Sequence, residues 1–196
     1  PFAMYHVDPD HKEREFLTLD ELTAMTEIKL EDPNMAFARD LFVFGCWTGI
    51  SFIDTKNLTE DKISMINGAP WIVSKRQKTG VPFQVKLMDI PMRIVERYKP
   101  LRKDCHLFNI GRLDTINKRI KKVAAMCGIK KRISYHVSRH TFAVLSLEYG
   151  MPIETVSKIL GHTNITTTQI YAKVTSSKLE HDISVFESRI KGHLPT

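Results

Sequence analysis

The stretch SYHVSRHTFAV, Ser134 to Val144, sets two histidines and an arginine within five residues. In a helix, spacings of three and four carry His136, Arg139 and His140 on one face. A zinc-protease helix would read H-E-x-x-H, but Val137 follows His136 here. An arginine inside the cluster repels a cation, so the group favours an anion over a metal. Three further segments concentrate reactive side chains: SKRQKT around Arg76 and Lys78, LGHTN around His162, and TTTQIYAK around Tyr171. On a strand, Arg76 and Lys78 would share a face, with Lys86 of the next strand nearby. Taken singly, each has a plainer reading: an exposed sheet face, a histidine at a helix C-terminus, a tyrosine in a core.

The elements that must position these residues are legible in the pattern. The first sixteen residues are polar and mixed, and read as a linker or arm. Thr18 and Glu21 form a T-x-x-E capping box that opens a helix. MAFARDLFVFGCWTG is a strongly apolar helix that stops near Gly49, and SFIDTKNL is a short helix after a tight turn. Between Lys62 and Met88 the chain is rich in β-branched and aromatic residues and is interrupted by NGAP and TG, which predicts three short antiparallel strands. Helical periodicity then predicts helices at 90–98, 112–127, 134–149, 152–160, 165–173 and 176–190. In the last of these, Leu179, Ile183, Phe186 and Ile190 recur on one face, suited either to the chain's own core or to a neighbouring subunit. The fold class is therefore mainly α with a small three-stranded antiparallel β-sheet.

A chain of 196 residues suits one well-buried domain. With 42% hydrophobic and 26% charged residues it has an ordinary globular composition, and no apolar run approaches a membrane span. The start lacks the features of a secretory signal and has no Met, the pattern of a piece of a longer chain. Three cysteines without a C-x-x-C pair argue for free thiols in a reducing compartment. The net charge of +7 is moderate, but its distribution is not. Lys118, Arg119, Lys121, Lys122, Lys130, Lys131 and Arg132 fall in fifteen residues without an acid, the footprint of a solvated face or of a nucleic-acid binder.

Joined in order, TGIS, KRQKT, HVSRHTFA and LGHTNITTTQIYAKV resemble the catalytic domain of tyrosine recombinases, the phage-type and mobile-element integrases. The resemblance covers Phe16 to Ile190 and implies an arm at 1–16, a catalytic domain at 17–190 and a tail at 191–196. By position, it makes Lys78 the hairpin lysine, His136 and Arg139 the histidine–arginine pair, His162 the late histidine and Tyr171 the nucleophile. The family's first arginine falls at Ser51, so one catalytic cation is missing from its usual place. Some integrases of conjugative and mobilisable elements carry a small residue there and an extra arginine on the hairpin, which makes Arg76 the expected substitute and Ser51→Ala an innocuous change.

The resemblance implies site-specific cleavage and rejoining of double-stranded DNA through a 3′-phosphotyrosyl link, without metal or cofactor. It implies a monomer in isolation, a tetramer on DNA, accessory DNA-bending proteins, and a cytoplasmic, nucleoid-associated bacterial protein. The roles follow from charge. His136 would accept the phenolic proton, the arginines and His162 would stabilise phosphate oxygens, and Lys78 would protonate the leaving 5′-oxygen. His140 would brace the helices. Competing readings are a catalytically inactive DNA-binding module, which Ser51 keeps alive, a type IB topoisomerase, and a histidine–metal protein.

Overall fold

The computed structural model describes residues 15–172 and 176–191, with side chains of the last helix described from 182 onward. Most of the expected arm and all but the first residue of the expected tail lie outside the described residues. Helix α1 (Leu19–Glu27) opens with the expected capping box: the Glu21 amide donates to Thr18 Oγ1 at 3.2 Å, and the Thr18 amide donates to Glu21 Oε2 at 2.8 Å. Helix α2 (Pro33–Thr48) starts at an Asp32 cap with proline in its first turn, and ends at the left-handed Gly49. Helix α3 (Phe52–Lys56) follows at once, capped by Ser51.

Strands β1 (Ile63–Ile66), β2 (Ala69–Lys75) and β3 (Pro82–Lys86) form one antiparallel sheet in the order β1-β2-β3. Asn67 and Gly68, both at positive φ, make the tight β1–β2 turn that an Asn-Gly pair favours. β3 alternates exposed and buried residues, and its Phe83 and Val85 join Ile72 of β2 in the core. Lys86 pairs with Trp71, at the opposite end of β3 from the β2–β3 turn, so it does not approach Lys78 as the sequence suggested.

Helices α4 (Asp89–Tyr98), α5 (Leu113–Met126), α6 (Tyr135–Glu148), α7 (Ile153–Leu160), α8 (Thr166–Gln169) and α9 (Ser176–Ile190) complete the chain. Helix α6 packs along α2, and Gly45 is what permits it: a Cβ there would lie 2.3 Å from Ser138 Oγ. One apolar cluster joins α1, α2, the sheet, α4, α5 and the start of α6. A second, of Phe142, Ala143, Leu147, Val156 and Leu160, seals α6 on α7, with Tyr171 packed against it. These contacts set α7 against both α6 and β3, so that its C-terminus receives Arg139 from α6 and Arg76 from just past β2. On α9, Ile183 and Phe186 are exposed, and Leu179 falls outside the described side chains.

Candidate active site

The last turn of an α-helix leaves carbonyls without amide partners and gathers negative potential there. At the end of α7 two of those carbonyls are taken by arginines from distant parts of the chain. Arg76 Nη2 donates to Ile159 O at 2.9 Å, and Arg139 Nη2 donates to Leu160 O at 2.7 Å. Arg139 Nη1 reaches Gly49 O, 2.8 Å away at the end of α2. Two guanidiniums are thus pinned on consecutive carbonyls of one helix. Burial first, and then the neighbouring Arg76 charge, lower the Arg139 pKa to about 10.

Arg76 does not lie on the strand. It follows the end of β2, its side chain is 6% exposed, and Lys78 stands exposed in the turn beyond it. The expected shared face of Arg76 and Lys78 is therefore absent, because the pleat ends at Lys75 and the chain turns. The amide of Arg76 donates to Val81 O while its carbonyl accepts from Gly80, which closes the turn and aims the guanidinium inward. There Nη1 donates to Asp54 Oδ2 at 2.9 Å, and the guanidinium carbon sits 4.1 Å above the Phe83 ring. Gly161, the glycine of LGH, makes room: it has φ +61, and a Cβ on it would lie 2.8 Å from both Cγ and Nε of Arg76.

Asp54 is a residue that the sequence reading missed. Burial works to raise its pKa. The Gln77 amide, the Ser51 hydroxyl and Arg76 outweigh burial and hold it lowered. Ser51 Oγ donates to Asp54 Oδ2 at 2.6 Å and caps α3, so Ser51 helps hold the carboxylate that receives Arg76. The signal was present as S-x-x-D, the capping pattern at the start of a short helix.

His162 leaves α7 just past Gly161, and its Nδ1 lies 2.8 Å from Thr168 Oγ1 on α8. Its backbone amide caps α7 by donating to Ser157 O at 3.1 Å, while its ring turns away to α8 and the two arginines take the carbonyls of Ile159 and Leu160. Burial, then the charges of Arg139 and Arg76, push its pKa down to about 4, so it is neutral near pH 7. Tyr171 sits on the turn after α8, half-buried, with its hydroxyl 2.6 Å from Nδ1 of His140. His140 is 6% exposed, while His136, one turn earlier on α6, is exposed and meets the His140 ring edge-on at 4.3 Å. The sequence assigned the phenolic proton to His136; the structure places the Tyr171 hydroxyl within hydrogen-bond distance of His140. The structure thus gathers Arg76, Arg139, His162, His140 and Tyr171, and leaves Lys78 exposed in the β2–β3 turn.

The basic segment is mostly where a polyanion could reach it. Lys118, Lys121, Lys122, Lys130 and Arg132 are exposed and Arg119 is half-buried. Lys131 is occupied: its Nζ donates to Glu21 Oε2 at 2.5 Å and to Phe16 O at 2.9 Å, tying the start of α1 to the loop before α6. Among the described residues, Asp104, Cys105 and His106 form the one cluster of metal-ligand type, on a loop apart from this site. No described helix is long and apolar enough to cross a membrane.

A mainly helical domain with a three-stranded antiparallel sheet, and two arginines and a histidine gathered beside a tyrosine, define a class. Residues 15–178 match the phage integrase family, and the chain belongs to it. The tyrosine recombinase XerD of Oceanobacillus iheyensis is 26% identical over 192 residues, covering 89% of this chain and 64% of its own length. The chain therefore spans less than two thirds of that relative. Among solved structures, XerH site-specific recombinase bound to a palindromic difH substrate aligns with a TM-score of 0.73 at 21% identity, covering 90% of this chain and 54% of its own. The Tn1549 transposon integrase, in complex with a circular intermediate DNA, aligns with a TM-score of 0.71 at 17% identity, covering 91% and 68%. These likenesses establish a tyrosine recombinase catalytic-domain fold.

Proposed function

We propose that this chain is the catalytic domain, residues 17–190, of a mobile-element integrase that cuts and rejoins double-stranded DNA through Tyr171. The observation that carries the reading is the pair of guanidiniums, Arg76 and Arg139, held on adjacent carbonyls of α7. Like charges packed side by side repel. Asp54 and the Ile159 carbonyl hold Arg76, but Arg139 is held by neutral carbonyls alone, so the pair keeps a net positive charge that suits a bound anion. A backbone phosphate fits, because planar guanidinium forks donate to two of its oxygens and stabilise the charge that gathers there in the transition state. His162, neutral near pH 7, adds a hydrogen bond.

Tyr171 attacks phosphorus, the bond to the 5′-oxygen breaks, and the energy of that bond is kept in a 3′-phosphotyrosyl link that a second 5′-hydroxyl reopens. A free phenol titrates near ~10, so the attack needs a proton acceptor, and the imidazoles of α6 supply one. Lys78, exposed on the β2–β3 turn, reaches down to protonate the leaving oxygen once DNA lies across the site. The basic surface of α5 grips the flanking backbone. The exposed Ile183 and Phe186 of α9 suit a neighbouring subunit in a tetramer assembled on DNA from monomers. The experiment is incubation with a nicked suicide duplex, in which the released fragment cannot rejoin. Covalent protein–DNA adduct is expected from the unsubstituted chain and none from Tyr171→Phe. A chain that binds the duplex and gives no adduct would instead be a DNA-binding module of the same fold.

A further inference from the structure

We propose that His140, rather than His136, takes the proton from Tyr171. This rests on the reading of Tyr171 as the nucleophile and assigns a catalytic residue within it. A general base must lie within hydrogen-bond reach of the proton that it removes, and geometry ranks ahead of pKa in finding it. Nδ1 of His140 lies 2.6 Å from the Tyr171 hydroxyl, and the two rings are 5.4 Å apart and tilted by 45°.

The surroundings fit the role. A buried imidazole needs partners for its polar atoms, and Tyr171 is one of those that His140 has. The tyrosine needs holding too. Helix α8 is only four residues long and ends before Tyr171, whose amide closes a tight turn onto Thr168 O at 3.0 Å. Its ring rests on the cluster of Phe142, Val156 and Leu160, which directs the hydroxyl toward α6. Arg139, on the same turn of α6, is coupled electrostatically to Tyr171 in the sense that favours a phenolate.

In neutral His140 the ring proton is on Nε2, and the lone pair of Nδ1 faces the phenol. As the bond between the phenolic oxygen and phosphorus forms, the phenolic proton moves to Nδ1. The bond from phosphorus to the 5′-oxygen breaks, its electron pair leaves with that oxygen, and the oxygen takes a proton from Lys78. On rejoining, the imidazolium returns its proton to Tyr171. An imidazolium beside Arg139 is disfavoured, which helps that return.

The test is single-turnover cleavage of a nicked suicide duplex at saturating DNA, with duplex affinity measured separately. His140→Leu is expected to slow adduct formation by about a hundredfold, the lower range of acid–base contributions, with affinity unchanged. His140→Asn, which keeps a polar atom at the Nδ1 position but is not basic, should be equally slow. Replacing Tyr171 with 3,5-difluorotyrosine, a more acidic phenol, should recover at least tenfold of the loss in His140→Leu. The same replacement should give His136→Leu no comparable recovery. Normal cleavage by His140→Leu, full activity in His140→Asn, or no recovery with the fluorinated phenol would each overturn the assignment. Absence of adduct from the unsubstituted chain would instead overturn the reading of Tyr171 on which it rests.

Discussion

Arg76 joins three residues that the sequence treated separately. Ser51 caps α3 and donates to Asp54, Asp54 accepts from Arg76, and Arg76 closes on the carbonyl of Ile159. Desolvation lowers the Arg76 pKa, and pairing with Asp54 partly offsets this. A cation fixed in this way has its geometry set before an anion binds, the condition under which electrostatic stabilisation is most effective. Arg76→Ala is expected to slow strand cleavage by about 10²- to 10³-fold, the range for losing one donor to a developing oxyanion. The measurement is the rate of adduct formation on the suicide duplex, with thermal unfolding followed in parallel to exclude a folding defect. Cleavage at the unsubstituted rate would mean that Arg76 is not the substitute for the arginine expected at Ser51. Ser51→Ala, which looked harmless in the sequence, removes a cap typically worth about 1 kcal/mol and loosens Asp54, so it carries a cost of its own.

At the scale of elements, what periodicity could reveal was legible. Helix α6 was expected at 134–149 and runs Tyr135–Glu148; α4, α5 and α7 fall within a residue or so of expectation, and the three strands follow the turn signals. Helix α8 was expected at 165–173 but spans Thr166–Gln169. Amides there bond to carbonyls three residues back, at Ile165, Thr168 and Gln169, and this tighter winding does not propagate. Spacing along a chain carries no information about partners such as Asp54 and Arg76, or His140 and Tyr171, which meet only through packing. Glycines mark where that packing is tightest. Gly161→Ala would strain a left-handed backbone position by roughly 1–2 kcal/mol and would drive a methyl group into Arg76. Stability should therefore fall modestly in urea unfolding, while cleavage falls toward the level of Arg76→Ala. An alanine variant that cleaves normally would separate the LGH glycine from the role proposed for Arg76.

For the whole molecule, the deciding quantity is where the positive charge is free. The net charge of +7 comes from the second half of the chain, where residues 99–196 hold 17 Lys and Arg against 7 Asp and Glu, yet only some of these cations are available to a long polyanion. On α5, Lys118, Lys121 and Lys122 are exposed, whereas Lys131 is bound to Glu21 and to a carbonyl. Glu21 is itself shared between Lys131 and the cap of α1, so that lysine contributes to folding more than to binding. Each phosphate neutralised on duplex DNA contributes about 0.9 to the slope of log affinity against log salt. Lys121→Gln with Lys122→Gln should therefore reduce the slope by about 1.8 if each lysine meets one phosphate, with affinity falling on every duplex regardless of sequence. Lys131→Gln should leave the slope unchanged and lower the unfolding midpoint instead. Fluorescence anisotropy over a salt series, on specific and random duplexes, distinguishes the two. An unchanged slope in the double variant would move the DNA path off α5, and a reduced slope in Lys131→Gln would mean that the ion pair with Glu21 opens to let the lysine reach the backbone.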